Sequence, residues 1–226
     1  MREYLFELHT HTKETSRCSK IFASDLIRIH HELGYDGICI TDHFYGGFFE
    51  ELGKLPWGEK VDSYLRGFRT AREEGKKYGI TVLLGMEYCI PNTEDDILIY
   101  GFDEAFLYRH ENLHLLDEWA LKKLAEQNDL LLIQAHPFRK MVSKTYDNIV
   151  EGFEIFNSHP RHDSMNEKAE EHASGFGGIK ISGSDVHRPE DIGRSGVYLP
   201  EAPKDSFELA EILRKIKTPR LNRQPL

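Results

Sequence analysis

The sequence predicts an α/β protein: a single domain in which seven short strands alternate with helices and close, fully or in part, into a β/α barrel. Three observations carry this. Apolar runs of strand length alternate with helix-periodic segments nearly from end to end. The runs are apolar enough to be buried on both faces, as strands of a helix-covered parallel sheet are. Residues able to bind metal stand at the end of nearly every run. A barrel explains that better than an open sheet, whose chemistry gathers at one switch point.

In order along the chain, YLFELHT from Tyr4 reads as the first strand. SDLIRIHHELG reads as a helix, with Ser24 as its cap, Leu26, Ile27 and Leu33 at helical spacing, and Gly34 as its stop. GICIT is the second strand. Gly46 to Lys60, with Phe48, Phe49 and Trp57, reads as a long loop, either ordinary packed surface or a flank to a site mouth. The stretch from about Glu59 to Tyr78 reads as a polar-faced helix. ITVLLGME, DILIYGF, LLLIQAH, FEIFNS and IKISGSD supply five more strands, with HLLDEWALKKLAEQN and MNEKAEEHASG as the clearest helices between them. The domain is expected to span residues 1–217, followed by a frayed C-terminal tail, 218–226, with two prolines.

Composition limits the function. With 226 residues, 39% apolar and 30% charged, the chain can bury one substantial core. A formal charge of -9 argues against general nucleic-acid binding, which needs a basic face, but leaves room for a small anionic substrate held through metal. No apolar stretch approaches the roughly 20 residues of a membrane span. Met1 leads straight into a strand without a signal-peptide pattern, so a cytoplasmic location is expected. Cys18, Cys39 and Cys89 are an odd number without CxxC spacing, which disfavours a disulfide framework or a zinc knuckle. Cys39 and Cys89 sit in apolar runs and read as buried inert thiols.

The chemistry lies at the strand ends: His9 and His11 in LHTHT, Asp42 and His43 in ITDHF, Glu87 in GMEY, His136 in AHPF, Asn157 and His159 in FNSHP, and Asp185 and His187 in GSDVH. Side chains alternate along a strand, so His9 and His11 share a face with Cα atoms about 6.6 Å apart, a spacing that lets both imidazoles reach one ion. Asp185 and His187 repeat that geometry, and Gly183 leaves room for close backbone approach. A glutamate after a buried strand, like Glu87, is costly unless paired or metal-bound. Each residue alone can be a satisfied strand-end polar group. Their ordered recurrence points to a multinuclear metal site.

The ordered set LHTHT, ITDH, GME, AHP, FNS and GSDVH with a following DIG, from His9 to about Gly193, resembles the PHP (polymerase and histidinol phosphatase) superfamily of metal-dependent phosphoesterases. The resemblance implies a distorted (β/α)7 barrel holding two or three divalent ions, Zn, Mn or Fe, at the C-terminal ends of its strands. It implies that His9, His11, Glu87 and Asp185 hold one ion, that Glu87 bridges to a second held with His136, and that His43 and His187 serve a third. Relatives commonly carry an Asp or His a few residues after HxH; here the stretch reads ETSRCSK. Cys18 could ligate a soft metal there or be a loop cysteine with no metal role, and Arg17, pointing inward, could take the place of the third ion and clamp phosphate. A further ligand of the bridged pair is expected at Asp103, with Asp96 behind it.

Such a centre is expected to hydrolyse a small phosphate ester with water activated to hydroxide by the metals. Asp42 could orient that water, support a ligand ring or cap a strand. His159 could protonate the leaving oxygen or be a plain loop histidine. Arg139, Arg161, Arg188 and Arg194 lie just past motif strands and could bind phosphate. Two other readings stand beside this one. HxH opening a barrel also suits an amidohydrolase-like C–N hydrolase, although no lysine ends a motif strand. A non-catalytic metal-binding regulatory domain would keep ligands without turnover.

Overall fold

The computed structural model describes residues 2–224. It is a mixed α/β domain whose ladders form two sheets rather than one continuous barrel ladder. Strand β1 (Tyr4–Glu7) leads to α1 (Ala23–Glu32), β2 (Gly37–Ile40) and the two-residue β3 (His43–Phe44). Helices α2 (Gly46–Glu51), α3 (Trp57–Tyr64) and α4 (Arg66–Tyr78) precede β4 (Thr81–Leu84), β5 (Met86–Cys89) and β6 (Asp96–Tyr100). Then come α5 (Glu104–Arg109), α6 (Glu118–Asn128), β7 (Leu131–Gln134), β8 (Gly152–Asn157), α7 (Asn166–Phe176), β9 (Ile179–Gly183), β10 (Ser195–Leu199), α8 (Ser206–Ile216) and β11 (Arg220–Arg223).

The first sheet runs β11-β10-β1-β2-β4 and the second β3-β5-β6-β7-β8-β9. Both contain antiparallel pairs, β1 with β10, β10 with β11, and β6 with β5 and β7. Among the described residues no ladder closes the two sheets into the expected seven-stranded parallel barrel. They nevertheless share a core. Phe6, Cys39 and Leu83 of the first sheet are buried in one cluster with Leu98, Tyr100, Leu131, Ile133 and Ile181 of the second. The Tyr100 hydroxyl donates to the Leu8 carbonyl across it (2.9 Å).

Several local readings are corrected. ITVLLGME is two strands in different sheets, broken at Gly85, where a Cβ would stand 2.8 Å from Cys39 Sγ. The expected loop at 46–60 contains α2 and the start of α3, and the expected 59–78 helix is divided at Leu65 into α3 and α4. Ser24 does not cap α1. Glu14, from the loop after HxH, accepts from the Ala23 N–H instead. The tail is not frayed over its first half, because β11 pairs with β10 along Ser195–Tyr198 and the Gln224 N–H reaches the Arg194 carbonyl. Pro225 and Leu226 lie outside the described residues. No helix among them is long and apolar enough to cross a membrane.

Register positions the site. Thr10 bridges to Val186 and the His11 N–H donates to the Val186 carbonyl, so HTH and SDVH run side by side just beyond β1 and β9. In the second sheet His43 pairs in register with Glu87. The antiparallel strand β6 begins at that same edge, placing Asp96 beside Ala135, whose N–H donates to the Asp96 carbonyl, and so beside His136.

Candidate metal centre

Eight side chains from these strand ends converge, with Cys18 from the loop after HTH beside them. His9, His11 and Glu87 are fully buried, and Asp185 and His136 nearly so. His9 Nε2 lies 2.9 Å from Glu87 Oε1 and 3.7 Å from Asp185 Oδ1, and His11 Nε2 lies 3.2 Å from Asp185 Oδ1 and 3.4 Å from Glu87 Oε2. His136 Nε2 is 3.1 Å from Glu87 Oε1 and His43 Nδ1 2.6 Å from Glu87 Oε2. The donors of His9, His11 and Glu87 lie within 4.8 Å of one another, as do those of His9, His136 and Asp185, of Glu87, Asp96 and His136, and of His11, His43 and His187. Cys18 Sγ stands 3.1 Å from His187 Nε2.

These residues fit cations by an observation independent of any motif. His9 Nε2, His11 Nε2, His136 Nδ1 and Glu87 Oε2 are buried without a hydrogen-bond partner. An unsatisfied buried polar atom costs about 1–3 kcal/mol, more when charged, so four of them in one cluster need another partner. Two of the ligand candidates also hold left-handed backbone, His136 at φ 28 and Asp185 at φ 51, a strain of about 1–3 kcal/mol each that surroundings must hold in place.

Electrostatics follows from the crowding. Burial disfavours the charge on Glu87, yet the imidazoles of His9, His43 and His11 hold its carboxyl well below the usual carboxylate range. Burial is likewise outweighed at Asp185, held low by His9, His11, His187 and Arg139. Asp96 behaves oppositely: burial and the adjacent Glu87 charge push it up to about 7. Two carboxylates that repel in this way are what a shared divalent ion relieves. At Cys18, burial raises the thiol but hydrogen bonds with His187 and His43 prevail and bring it down to about 6.

A supporting layer fixes the candidate ligand atoms. Glu154 is fully buried; its Oε1 accepts from His9 Nδ1 (2.9 Å) and its Oε2 from the His136 N–H (2.9 Å) and Asn157 Nδ2 (2.9 Å). The proton is thereby kept on His9 Nδ1 and the lone pair on Nε2, the arrangement that carboxylates behind metal-binding histidines impose. Glu7 accepts from the backbone of Leu8, His9 and Ser184 and from the Ser184 hydroxyl, tying β1 to the segment after β9. Neither residue was identified from sequence. An acidic residue inside the apolar runs FEIFNS and YLFELHT was the available signal, since a carboxylate there is costly unless it has donors.

The remaining candidates divide. Asp42 accepts from the Thr12 N–H (2.7 Å) and hydroxyl (2.7 Å) and the Ser16 hydroxyl (2.7 Å). It braces the loop carrying His11 and does not line the cavity into which the centre opens. Arg139 lines the cavity and donates to Asp185 Oδ2 (2.8 Å), with its Nε unpartnered. His159 also lines it, but burial, reinforced by His187, Arg139 and Arg161, lowers it to about 4, and Arg161 Nη2 points at its Nε2 (3.2 Å). A neutral ring at ordinary pH does not favour the expected general acid. Arg161 is spent on a bidentate pair with Asp191. Arg17 does not point inward. It is mostly exposed and paired with Glu51, and Cys18 takes the inward place. Asp103 is no part of the centre either: it caps α5, accepting from the Phe106 N–H (2.8 Å), while Asp96 occupies the place beside Glu87 and His136. The centre opens into a cavity of about 490 Å³ rimmed by Arg139, Lys140, Arg161 and Arg188.

A family model described as the PHP domain matches residues 7–215. The chain belongs to the PHP family. Solved structures agree on the fold at low identity. A two-domain protein from Bacteroides vulgatus ATCC 8482, containing a predicted PHP-like metal-dependent phosphoesterase, is 14% identical with a TM-score of 0.69; the match covers 99% of this PHP chain and 65% of that chain, so this chain spans a little under two thirds of it. PsfC from Pseudomonas syringae PB-5123 is 14% identical, TM-score 0.65, covering 94% and 88%. An amidohydrolase from Chromobacterium violaceum, with bound sulfate and no metal, is 15% identical, TM-score 0.59, covering 92% and 95%. No curated protein matches the sequence.

Proposed function

We propose that this PHP-family protein is a metal-dependent phosphoesterase acting on a small phosphorylated substrate. One observation carries the reading: Glu87, fully buried, is ringed by His9, His11, His43 and His136, with unpartnered donor atoms beside it and a cation-rimmed cavity in front. His9, His11, Glu87 and Asp185 would hold one divalent ion, and Glu87, Asp96 and His136 a second. Such ions, when bound, supply Lewis acidity toward a phosphoryl oxygen and bring the pKa of water toward neutrality.

The chain's own residues do the rest. Arg139 orients Asp185 and, with His9, His11 and His187, keeps it ionised, and it lines the cavity as a fixed positive charge available to a phosphoryl oxygen. Lys140 and Arg188 at the rim attract an anionic substrate despite the negative net charge of the chain. Asp42 and Glu154 hold the His11 loop and the His9 ring in place. The sulfate bound by the Chromobacterium violaceum neighbour, an analogue of phosphate, is compatible with this reading.

The test is turnover by protein loaded with Zn2+ or Mn2+ on an aryl phosphate, an aryl phosphodiester and a dihydropyrimidine. Hydrolysis of a phosphate ester that disappears in Glu87→Gln supports the proposal. Turnover of the dihydropyrimidine alone would move the assignment to C–N hydrolysis. Loaded protein inert toward all three would leave a metal-binding domain without turnover.

A further inference from the structure

At the mouth stands the third position, where His43 and His187 are expected to serve an ion and where this chain carries Cys18. His43 and His187 place their rings 5.7 Å apart, each beside His11, at 4.2 and 4.5 Å between centroids. His187 Nδ1 lies 2.9 Å from the Asp185 carbonyl, to which it can only donate, so in the neutral ring Nε2 carries the lone pair. That lone pair faces Cys18 Sγ at 3.1 Å. Two donors of a tetrahedral zinc ion, one sulfur and one nitrogen, lie about 3.5 Å apart, so a few tenths of an ångström of opening would admit the ion. Cys18 also hydrogen-bonds His43, so the sulfur has both rings within reach.

We propose that Cys18 completes a thiolate–imidazole site with His43 and His187 that selects soft divalent ions. The proposal rests on the metal-centre reading but not on phosphate-ester turnover. On ligation the thiol proton is lost to solvent, and the sulfur forms the new bond as thiolate. Thiolate donors favour Zn2+, Cd2+ and Co2+ over Mn2+ or Mg2+, so this position is chemically distinct from the carboxylate-bridged pair. Cys18 is exposed, so the site can exchange its ion with solvent while the buried positions stay filled.

Cobalt reports on this directly, because a Co2+–thiolate bond gives an intense near-ultraviolet charge-transfer band that imidazole and carboxylate ligation do not. Wild-type protein and Cys89→Ser should show the band on cobalt loading, and Cys18→Ser should lose it and bind one ion fewer per chain by elemental analysis. Alkylation of Cys18 by iodoacetamide, followed by mass spectrometry, should be blocked by Cd2+. Two cobalt ions bound with no band, a band that survives Cys18→Ser, or alkylation unaffected by Cd2+ would overturn the proposal while leaving the phosphoesterase reading intact. A wild-type chain that binds no metal at all would remove both.

Discussion

Glu154→Gln tests whether the carboxylate behind His9 sets the ligand atom. The carboxylate has three donors to serve: His9 Nδ1 on Oε1, and the His136 N–H and Asn157 Nδ2 on Oε2. Glutamine has one carbonyl oxygen. Kept at Oε2 it preserves two hydrogen bonds, each worth about 1 kcal/mol net, against one if it turns the other way. Its amide then faces His9 Nδ1, which must accept, and the ring proton moves to Nε2, the atom facing Glu87 and Asp185. The ligand lone pair is lost without any change in ligand identity. Loss of such a supporting carboxylate lowers metal affinity about 10–100-fold, or about 1.4–2.7 kcal/mol. Competition with a chromophoric chelator measures this, and circular dichroism and the melting temperature of the metal-free protein check the fold, which an isosteric change should leave in place. Affinity within about twofold of wild type in a folded variant would falsify the tautomer argument.

Other outcomes follow from the same geometry. In Gly67→Ala the new Cβ would stand 1.9 Å from Thr12 Oγ1 and 2.8 Å from Asp42 Oδ2. The variant should lose about 1–3 kcal/mol from overpacking and part of its metal affinity, and unchanged urea midpoints would contradict the brace assigned to Asp42. Asp103→Ala should cost about 1 kcal/mol as a lost helix cap and leave metal stoichiometry unchanged by elemental analysis; a missing ion would restore Asp103 to the centre. His30, fully buried against Tyr35 with Nδ1 on the Leu26 carbonyl, is lowered by burial to about 4 from 6.5. The unfolded chain takes up that proton first, so the stability it contributes is complete above pH 6.5 and is lost as pH falls through about 4. At 1.36 kcal/mol per pKa unit the loss is about 3 kcal/mol. His30→Gln should flatten denaturation midpoints between those pH values, and an unaltered slope would count against it. Saturating Zn2+ at about a thousandfold over Kd should stabilise the protein by about 4 kcal/mol, reversed by chelator; equal melting curves with and without metal would mean no ion prefers the folded state.

The strand ends and their chemistry were legible in the sequence because both are local. Alternation fixes which face a side chain takes, and HTH and SDVH each place two donors on one face whatever the rest of the chain does. The alternation of strands and helices and the identity of His9, His11, His43, Glu87, His136, Asp185 and His187 as candidates came from such short-range patterns. The β10–β11 hairpin and the breaks at Gly85 and Leu65 did not, since a short strand acquires its status from the partner it pairs with.

What only tertiary structure decided is which donor meets which. Asp96 and Asp103 lie seven residues apart near opposite ends of one antiparallel strand, and the direction of that strand, a matter of long-range pairing, brings Asp96 to His136 and leaves Asp103 to cap a helix. Arg17 and Cys18 are neighbours, and packing alone turned the thiol toward His187 and the guanidinium toward Glu51. Glu7 and Glu154 became visible as supports only when their donors, up to 177 residues away, appeared beside them. Sequence specifies which groups can bind a cation; the cost of burying a charge without partners, settled over the whole fold, specifies which of them are brought together to do so.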